Sequence, residues 1–319
     1  MENLLVAARL SFASPELEAR FCDHRTTTYF FAVDSYSAVY RAAIPTVIFC
    51  QRLLKREADS PVLPLLVVGL TALFLNLSVL MAAFPRPWTI RWREPVTAFL
   101  RGTIVPMTVM MCYLEGDHLP HPLTWKPYIF NAIFSAGLTM TCLFPLAMPL
   151  HLKHHIPVHL AVWLMIVNIH VPRFCHALAE RHDAHTFVMQ SWEALSTRVW
   201  GLLDSMYGGV PVEPCPPTVA VACRHMHTCV QLVFGLVVTT YMVWVLEYQS
   251  RAFFLQREIR EGRVPGGRTR KAWPAMPLSA IVCHAALLPM LFAVCWVCLA
   301  HALFAGNDAQ YSQQGCEVG

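Results

Sequence analysis

Three histidines close together in the chain, His151, His154 and His155, form the pattern H-x-x-H-H. Imidazole nitrogens are common ligands of iron and zinc, so a metal ion held by these side chains is the chemistry that this pattern could carry. Such a site needs further ligands, which two looser histidine pairs could supply. These pairs are His118 with His121 and His182 with His185.

The same stretch resembles one of the histidine boxes of membrane fatty-acid desaturases and hydroxylases, in which several boxes together hold two irons. The resemblance implies a di-iron centre that includes His151, His154 and His155. The alternative is a polar loop that faces the lipid headgroups, and two observations favour it. The other histidine pairs fall on the opposite side of the membrane in the topology predicted below. Pro157 also disfavours helix at Ile156, so we expect a short loop without a bound cofactor.

Three charged residues lie within predicted apolar segments, and such residues are functional candidates because a charge inside a membrane is costly. They are Asp34, Arg41 and Arg101. Asp34 and Arg41 are nearly two helical turns apart, so both would project from one helix face, about 10 Å apart along the axis. These groups could line a transport path. Alternatively, Asp34 could contact Arg101 or Arg41 and only hold helices in register.

The composition indicates the class of protein in which these residues act. The chain has 319 residues, of which 56% are hydrophobic and 14% are charged, and its mean hydropathy is +0.46. A soluble domain usually has about 25% charged residues. The composition therefore excludes a soluble enzyme, a disordered chain, a small disulfide-rich secreted domain and a nucleic-acid-binding protein. We predict an all-α, polytopic transmembrane helical bundle.

The apolar windows predict seven membrane-spanning helices, because about 20 apolar residues cross a hydrocarbon core of roughly 30 Å. The predicted spans are 28–50, 61–84, 95–114, 127–150, 156–172, 219–246 and 276–304. Segment 28–50 contains both Asp34 and Arg41, and without it the chain would have six spans. An N-terminal segment, 1–27, and a polar C-terminal tail, 305–319, flank the spans.

Between the fifth and sixth spans, apolar residues recur at spacings of three and four, which predicts an amphipathic helix. Its apolar face consists of Val188, Trp192, Leu195, Val199, Leu202 and Met206. Gly208 and Gly209 follow this pattern and are expected to end the helix. The helix could lie in the membrane interface, or it could be an ordinary helix packed within a loop.

The distribution of Lys and Arg predicts the orientation, because both are enriched in cytoplasmic segments. With seven spans, the side that contains the N-terminus and segment 247–273 carries about twice as many of them as the other side. We therefore predict a cytoplasmic N-terminus and a C-terminus on the opposite side. This orientation of the termini is the reverse of that in a G-protein-coupled receptor. The acidic-Arg-aromatic triplet of that family is also missing at the end of the third span, where residues 110–113 are MMCY.

Segment 247–273 contains the excess positive charge of the chain, whose net charge is +4. Its basic residues are Arg251, Arg257, Arg260, Arg263, Arg268, Arg270 and Lys271. We expect the sixth span to continue as a helix through Arg260 and to end at Gly262. The basic residues are then predicted to contact anionic lipids, with Phe253, Phe254 and Leu255 on the bilayer surface. Alternatively, these charges serve only as a topological anchor.

The cysteines suggest two possible pairs. Cys295 and Cys298 form a C-x-x-C within an apolar helix, where small packing residues are expected rather than a redox pair. Cys175 and Cys215 bracket the long segment between the fifth and sixth spans, and they could form a disulfide if that side of the membrane is oxidising.

Residues 10–21, LSFASPELEARF, contain the pattern F-x-x-P-x-L-E-x-x-F. This pattern resembles the segment that precedes the first span of multi-span membrane modules in some microbial and algal cyclases and sensor kinases. Those proteins carry a cytoplasmic catalytic domain after the last span, whereas this sequence has 15 residues after Phe304. The resemblance therefore implies a stand-alone bundle without cyclase or kinase activity.

The leading hypothesis is a non-enzymatic sensory or scaffolding bundle. A small-solute or ion transporter is the alternative, indicated by Asp34, Arg41 and Arg101 and by prolines within the spans. These prolines are Pro45, Pro106 and Pro145. The internal repeats that are common in transporters are not visible in the sequence. A membrane metalloenzyme with iron or zinc at the H-x-x-H-H stretch is the third hypothesis.

Overall fold

The computed structural model describes residues 10–12, 14–39, 41, 43, 86–104, 124–126, 128–129, 136–208, 218–264 and 276–304. Within these residues the regular structure is helical and no strand occurs. Seven helices are described. They are α1, Pro15–Arg25 with helical continuation through residue 39; α2, Arg86–Phe99 with continuation Leu100–Ile104; α3, Leu138–Ala147; α4, Leu152–Ala179; α5, His182–Tyr207; α6, Val219–Arg260; and α7, Leu278–Phe304.

Three of the described helices are long and apolar enough to cross a membrane. They are α4, α6 and α7, with 28, 42 and 27 residues. The all-helical architecture is therefore confirmed, and these helices fit an integral membrane protein. The number of seven spans stays a prediction, because segment 61–84 and parts of 28–50, 95–114 and 127–150 lie outside the described residues.

The ends of the described helices follow local chemistry. At the start of α1, the hydroxyl of Ser14 accepts a hydrogen bond from the backbone N–H of Leu17, and Pro15 occupies the first helical turn. Gly208 follows α5 with φ of 68°, and Gly262 follows α6 with φ of 72°. Both glycines adopt the left-handed conformation that commonly ends a helix, so the two predicted helix ends are confirmed.

The H-x-x-H-H stretch is helical, which corrects the prediction of a loop. Helix α4 begins at Leu152, and Pro157 lies inside it. A proline inside a helix removes one of its backbone hydrogen bonds, and the 28-residue α4 forms despite this loss. His154 and His155 therefore lie in the first turn of α4, with His151 directly before it.

The chain divides into two compact units, and each contains parts of several helices. Unit 1 consists of residues 1–112, 142–162 and 239–278. In its core, Leu17 and Phe21 of α1 pack with Phe254 and Leu255 of α6 and with Phe12. Leu10, Phe12, Leu17 and Phe21 of the segment 10–21 are thus buried in a cluster with the last turns of α6. Phe254 and Leu255 do not rest on the bilayer surface as expected, whereas Phe253 is exposed.

Unit 2 consists of residues 113–141, 163–238 and 279–319. Cys175 of α4 forms a disulfide with Cys223 of α6 in this unit. The suggested pairing of Cys175 with Cys215 is therefore wrong, because Cys175 pairs with Cys223; Cys215 itself lies outside the described residues. Because α4 and α6 pack side by side here, a cysteine in the first turns of α6 is within reach of Cys175.

The predicted amphipathic helix is α5. Val188, Trp192 and Val199 of its apolar face are buried, whereas Met206 near its end is exposed. The indole Nε1 of Trp192 donates a hydrogen bond to Nδ1 of His225, at 3.0 Å. One face of α5 therefore packs within unit 2, and its position in a membrane interface stays a prediction.

Candidate functional site: buried charges of unit 1

Asp34 lies at the centre of a group of buried charges. Its carboxylate accepts two hydrogen bonds from Arg93 of α2, at 2.8 and 3.0 Å. Nη2 of Arg41 donates to the backbone carbonyl of Asp34 at 2.6 Å and lies 4.0 Å from its carboxylate. All three side chains are buried. Asp34 therefore holds α1 against α2, through Arg93, which the sequence analysis did not single out.

Arg101 is separate from this ion pair. Its Nη1 lies 3.3 Å from the carbonyl oxygen of Met148, and both terminal nitrogens lie 3.3 Å from Nδ1 of His155. The suggested contact between Asp34 and Arg101 is therefore wrong. The suggested contact between Asp34 and Arg41 is present, but Arg93 makes the closer contact with the carboxylate.

A second network joins α1 to α6. Both terminal nitrogens of Arg251 donate to the carboxylate of Glu18, at 2.6 and 2.8 Å, and Nη2 also donates to Glu247 at 2.9 Å. Nη1 of Arg25 lies 2.6 Å from the other oxygen of Glu247. Two arginines and two glutamates therefore alternate along this contact. Phe21 lies beside it, with its ring centre 4.1 Å from the guanidinium carbon of Arg251.

These contacts place the start of α4 beside the second network. Glu247 accepts a hydrogen bond from the backbone N–H of Leu152 at 2.7 Å. Glu94 of α2 accepts one from the backbone N–H of His151 at 2.9 Å. The two carboxylates thereby satisfy backbone donors at the N-terminus of α4, where such donors lack partners within the helix.

The three histidines of the H-x-x-H-H stretch do not converge on one point. His151 packs against the rings of Phe21 and Phe30, whereas His154 is half-exposed with its Nδ1 3.1 Å from Glu94. His155 contacts Arg101. Among the described residues, no group of three His, Cys, Asp or Glu side chains could hold a metal ion. His118 and His121, the further ligands considered from the sequence, lie outside the described residues, so the di-iron interpretation of this stretch stays a prediction.

The surroundings shift the pKa of several groups in unit 1 that lie outside the apolar spans, among them Glu18, Arg25 and His151. Burial would raise the pKa of Glu18, but hydrogen bonds from Arg251 and from the backbone N–H of Phe12 bring it below its usual value. Burial lowers the pKa of Arg25 despite the carboxylate of Glu247 beside it. Burial also lowers the pKa of His151 to about 3, so this imidazole is neutral at physiological pH.

The basic residues predicted to contact lipids occupy different environments. Arg251 is buried in the network with Glu18 and Glu247, so it is not available to lipids. The predicted helix is confirmed through Arg260, which is exposed. Arg257 and Arg263 are also exposed, and they pair with nearby glutamates of the same segment. The other basic residues, Arg268, Arg270 and Lys271, lie outside the described residues.

Unit 2 contains a buried polar contact of its own. The hydroxyl of Thr141 donates to Oε1 of Gln231 at 2.8 Å, and Nε2 of Gln231 donates to the carbonyl oxygen of Ala136 at 2.7 Å. Gln231 begins the π-helical stretch Gln231–Val238 of α6, and Gly235 lies one turn further along it. This contact holds the start of α3 against α6.

An apolar groove is also present in unit 2, with a volume of about 590 Å³. The groove is lined by Leu195 and Val199 of α5, Phe234 of α6 and Phe292 of α7. Its lining also includes one charged residue, Arg198. Part of the apolar face of α5 thus faces this groove.

Several of the charged residues in these contacts were not predicted as site residues from the sequence. Arg93 and Glu94 lie before a predicted span, and Arg25 lies in the N-terminal segment, so hydropathy treats all three as solvent-exposed. The spacing of Glu247 and Arg251 is the one local signal, because residues four apart on a helix lie on one face.

The fold and these sites define the class as an all-helical protein in which three of the described helices are long and apolar enough to cross a membrane. Comparison with known proteins adds no closer relationship: no protein-family model, curated protein or solved structure matches the chain.

Proposed function

We propose that the chain is a non-enzymatic helical membrane module that acts as a sensory or scaffolding bundle. The observation that carries this proposal is the network of Glu18, Arg251, Glu247 and Arg25, which joins α1 to α6. A bidentate pair between an arginine and a carboxylate fixes distance and orientation at once. The network therefore couples the position of α1 to that of α6, as a relay or a scaffold requires.

The surrounding packing supports this coupling. Phe12, Leu17 and Phe21 belong to the segment that resembles the N-terminal segment of cyclase and sensor-kinase membrane modules, and all three are buried against α6. Arg20 adds an ion pair with Glu258 of α6, at 2.6 Å. The segment thus docks on the part of α6 that continues beyond its apolar span, where a displacement of one helix would move the other.

Hydrogen exchange of the whole protein in nanodiscs tests the coupling. Glu18→Gln removes the charge that bridges α1 to Arg251, and we expect faster amide exchange both in residues 14–25 of α1 and in residues 247–258 of α6. Glu16→Gln is the matched control, because Glu16 is exposed on the same helix. Faster exchange in α1 alone would contradict a relay between the two helices, as would equal exchange in the two variants.

A transporter is the second candidate, and the buried Arg101 is the observation that favours it. Asp34 argues against it, because its carboxylate is buried and held by Arg93. Liposomes that contain the protein can be assayed for ion and solute flux. We expect no flux above that of empty liposomes. Flux that Asp34→Asn abolishes would favour transport over the sensory or scaffolding role.

For the orientation, we propose that the N-terminus and the end of α6 face the cytoplasm. The excess of Lys and Arg supports this side. The disulfide between Cys175 and Cys223 supports an oxidising compartment at the opposite ends of α4 and α6, because disulfides are rare in the cytosol. Reporter tags inserted at Arg263 and at Gln313 are expected to report opposite sides, with Arg263 cytoplasmic. Tags on one side would contradict the orientation.

Anionic lipids are the proposed partner of the exposed basic residues after the span of α6. Arg257, Arg260 and Arg263 are exposed, as is Phe253. Each basic residue near an anionic leaflet contributes about 1 kcal/mol, and salt screens this contribution. Native mass spectrometry from mixed-lipid nanodiscs should show retained anionic lipid that the double variant Arg257→Gln/Arg260→Gln loses. Equal retention would leave these residues only as a topological anchor.

A further inference from the structure

The apolar groove of unit 2 begins one turn beyond a point where α5 packs closely against α6 and α7. At this point the indole of Trp192 donates to His225 of α6, and its ring lies 6.2 Å from the ring of Trp296 of α7. Further along α5 the side chains are less covered. Leu195 and Leu202 are only half-buried, and both line the groove of about 590 Å³. The apolar face of α5 is thus filled by neighbours at Trp192 and borders a cleft from Leu195 onward.

The wall of the groove opposite α5 is apolar and aromatic. Phe234 of α6 and Phe292 of α7 lie beside each other, with their ring centres 6.1 Å apart. Val230, one turn before Phe234, and Leu288, one turn before Phe292, belong to the same wall. Sites that bind small molecules are mostly apolar clefts of about 300–1,000 Å³ with few polar groups, and this groove has that size and character. The group that it can bury is therefore an apolar chain.

Arg198 is the charged residue in the lining of this groove. Its side chain is exposed, and it forms no ion pair or hydrogen bond with another residue that the structure describes. The nearest acidic residues along α5 are Glu193 and Asp204. At 3.6 residues per turn, both lie about 120–140° around the helix from Arg198, so neither shares its face. The guanidinium therefore offers N–H donors that a carboxylate in the cleft could use.

The level of the groove along α6 indicates the kind of ligand that suits this arginine. The wall residues of α6 come at and after the end of the 12-residue stretch Val219–Val230, about 18 Å from the start of the helix. Helix α6 is one of the three that are apolar enough to cross a membrane, so this wall belongs to its apolar part. A charge beside apolar helices is costly unless a counter-charge accompanies it. An apolar chain that ends in an anionic group meets both requirements.

We propose that the groove binds one long-chain fatty acid. Its alkyl chain lies between α5 and the wall of Phe234 and Phe292, and its carboxylate pairs with Arg198. A guanidinium and a carboxylate form two parallel hydrogen bonds, so one arginine is enough to select the acid. The volume of the cleft corresponds to one small ligand, which suits a single chain and not the two chains of a phospholipid. The site depends on residues of unit 2 alone and is independent of the coupling proposed for unit 1.

Photo-crosslinking of the purified whole protein in zwitterionic nanodiscs tests the proposal. The probe is palmitic acid with a diazirine in its alkyl chain, and mass spectrometry maps the labelled residues. Labelling should saturate, map to the groove, and be displaced by palmitate but not by methyl palmitate, which lacks the charge. Arg198→Gln should weaken the apparent affinity about tenfold or more, because a hydrogen-bonded charge pair is lost. Arg224→Gln is the matched control, since Arg224 is an exposed arginine of unit 2 outside the groove lining.

A filled groove gives a second, independent variant. Ala285 of α7 lines the groove and is exposed, so Ala285→Phe places a ring in the cleft without disturbing buried packing. This variant should lose saturable labelling. Ala286→Phe is its control, because Ala286 is also exposed but does not line the groove. All of these substitutions change exposed side chains, so the thermal unfolding temperature should stay that of the wild type.

Three results would overturn the proposal. The first is labelling of the wild type that does not saturate or that maps outside the groove. The second is an unchanged affinity in Arg198→Gln, or equal competition by methyl palmitate, since either would mean that no carboxylate is recognised. The third is a phospholipid that native mass spectra show bound to the wild type but not to Ala285→Phe, and that palmitate does not displace. This last result would assign the groove to a two-chain lipid.

Discussion

Replacement of Gly235 by alanine is expected to destabilise the protein, because α6 has no space for a methyl group at this position. A Cβ atom on Gly235 would lie 2.7 Å from Oε1 of Gln231 and 2.7 Å from Oγ1 of Thr141. These two oxygens are themselves joined by a hydrogen bond of 2.8 Å, and both side chains are buried. The methyl group must therefore displace at least one of them and break their hydrogen bond.

Three terms determine the size of this effect. Overpacking of a filled interior costs about 1–3 kcal/mol. A buried polar group that loses its hydrogen bond costs about 1–3 kcal/mol more. Alanine recovers about 0.5–1 kcal/mol, because it loses less backbone entropy than glycine on folding. The net expectation is a loss of about 3 kcal/mol, which corresponds to a fall in the thermal unfolding temperature of roughly 6–12 °C for a domain of this size.

Gly201→Ala is the matched control for this experiment. A Cβ atom on Gly201 of α5 would have no neighbour within 4 Å, so alanine should leave the unfolding temperature unchanged or raise it. Thr141→Ala removes one of the two displaced oxygens, and in that background Gly235→Ala should cost less. Thermal unfolding in nanodiscs measures all of these variants. An unfolding temperature of Gly235→Ala equal to that of Gly201→Ala would refute the reasoning.

Three further predictions concern titration and the disulfide. The pKa of His151 is about 3 in the folded protein and 6.5 in the unfolded chain, so the unfolded state binds more protons between these two pH values. Lowering the pH from 7 to 5 should therefore reduce the free energy of unfolding by about 2 kcal/mol through this residue. Thermal unfolding at both pH values should show a smaller pH dependence in His151→Gln, and an unchanged dependence would contradict this assignment. Burial raises the pKa of Cys22 to about 11, so little reactive thiolate is present at pH 8. Iodoacetamide at this pH should modify Cys22 slowly in the folded protein and rapidly after denaturation, as measured by peptide mass mapping. Equal rates in the two states would contradict the raised pKa. Cys175→Ser opens a disulfide between residues 48 positions apart and should lower stability by about 4 kcal/mol, and a reductant should destabilise the wild type but not the variant.

The helices were predictable where apolar periodicity or local end signals were strong. The apolar pattern that starts at Val188 predicted α5, and Gly208 and Gly262 predicted the ends of α5 and α6. Helix boundaries predicted from local sequence were less reliable where tertiary contacts stabilise the helix end. Pro157 predicted a loop, but the donors at the start of α4 are satisfied by the carboxylates of Glu94 and Glu247, and this stabilises a helix that begins before the proline.

The partners of the charged residues could not be predicted in the same way. Asp34 was singled out as a candidate because it lies in an apolar segment, but its closest partner, Arg93, lies in a polar segment that hydropathy assigns to a loop. The arginine–carboxylate contact depends on how α1 packs against α2, and no spacing in the chain encodes that packing. The same holds for Arg251, whose position after a span predicted lipid contact but whose partner Glu18 is far away in the sequence.

The burial of these charges bears on what the networks contribute to the protein. A buried ion pair is costly to desolvate, so replacement of both partners by apolar residues is often neutral for stability. Stability alone therefore does not explain why Arg25, Glu247 and Arg251 form a charged contact between α1 and α6 where an apolar one would suffice. A charged contact differs from an apolar one in its geometry, because a guanidinium and a carboxylate pair in few arrangements. It also responds to a change of charge nearby, and both properties suit a module in which one helix reports the position of another.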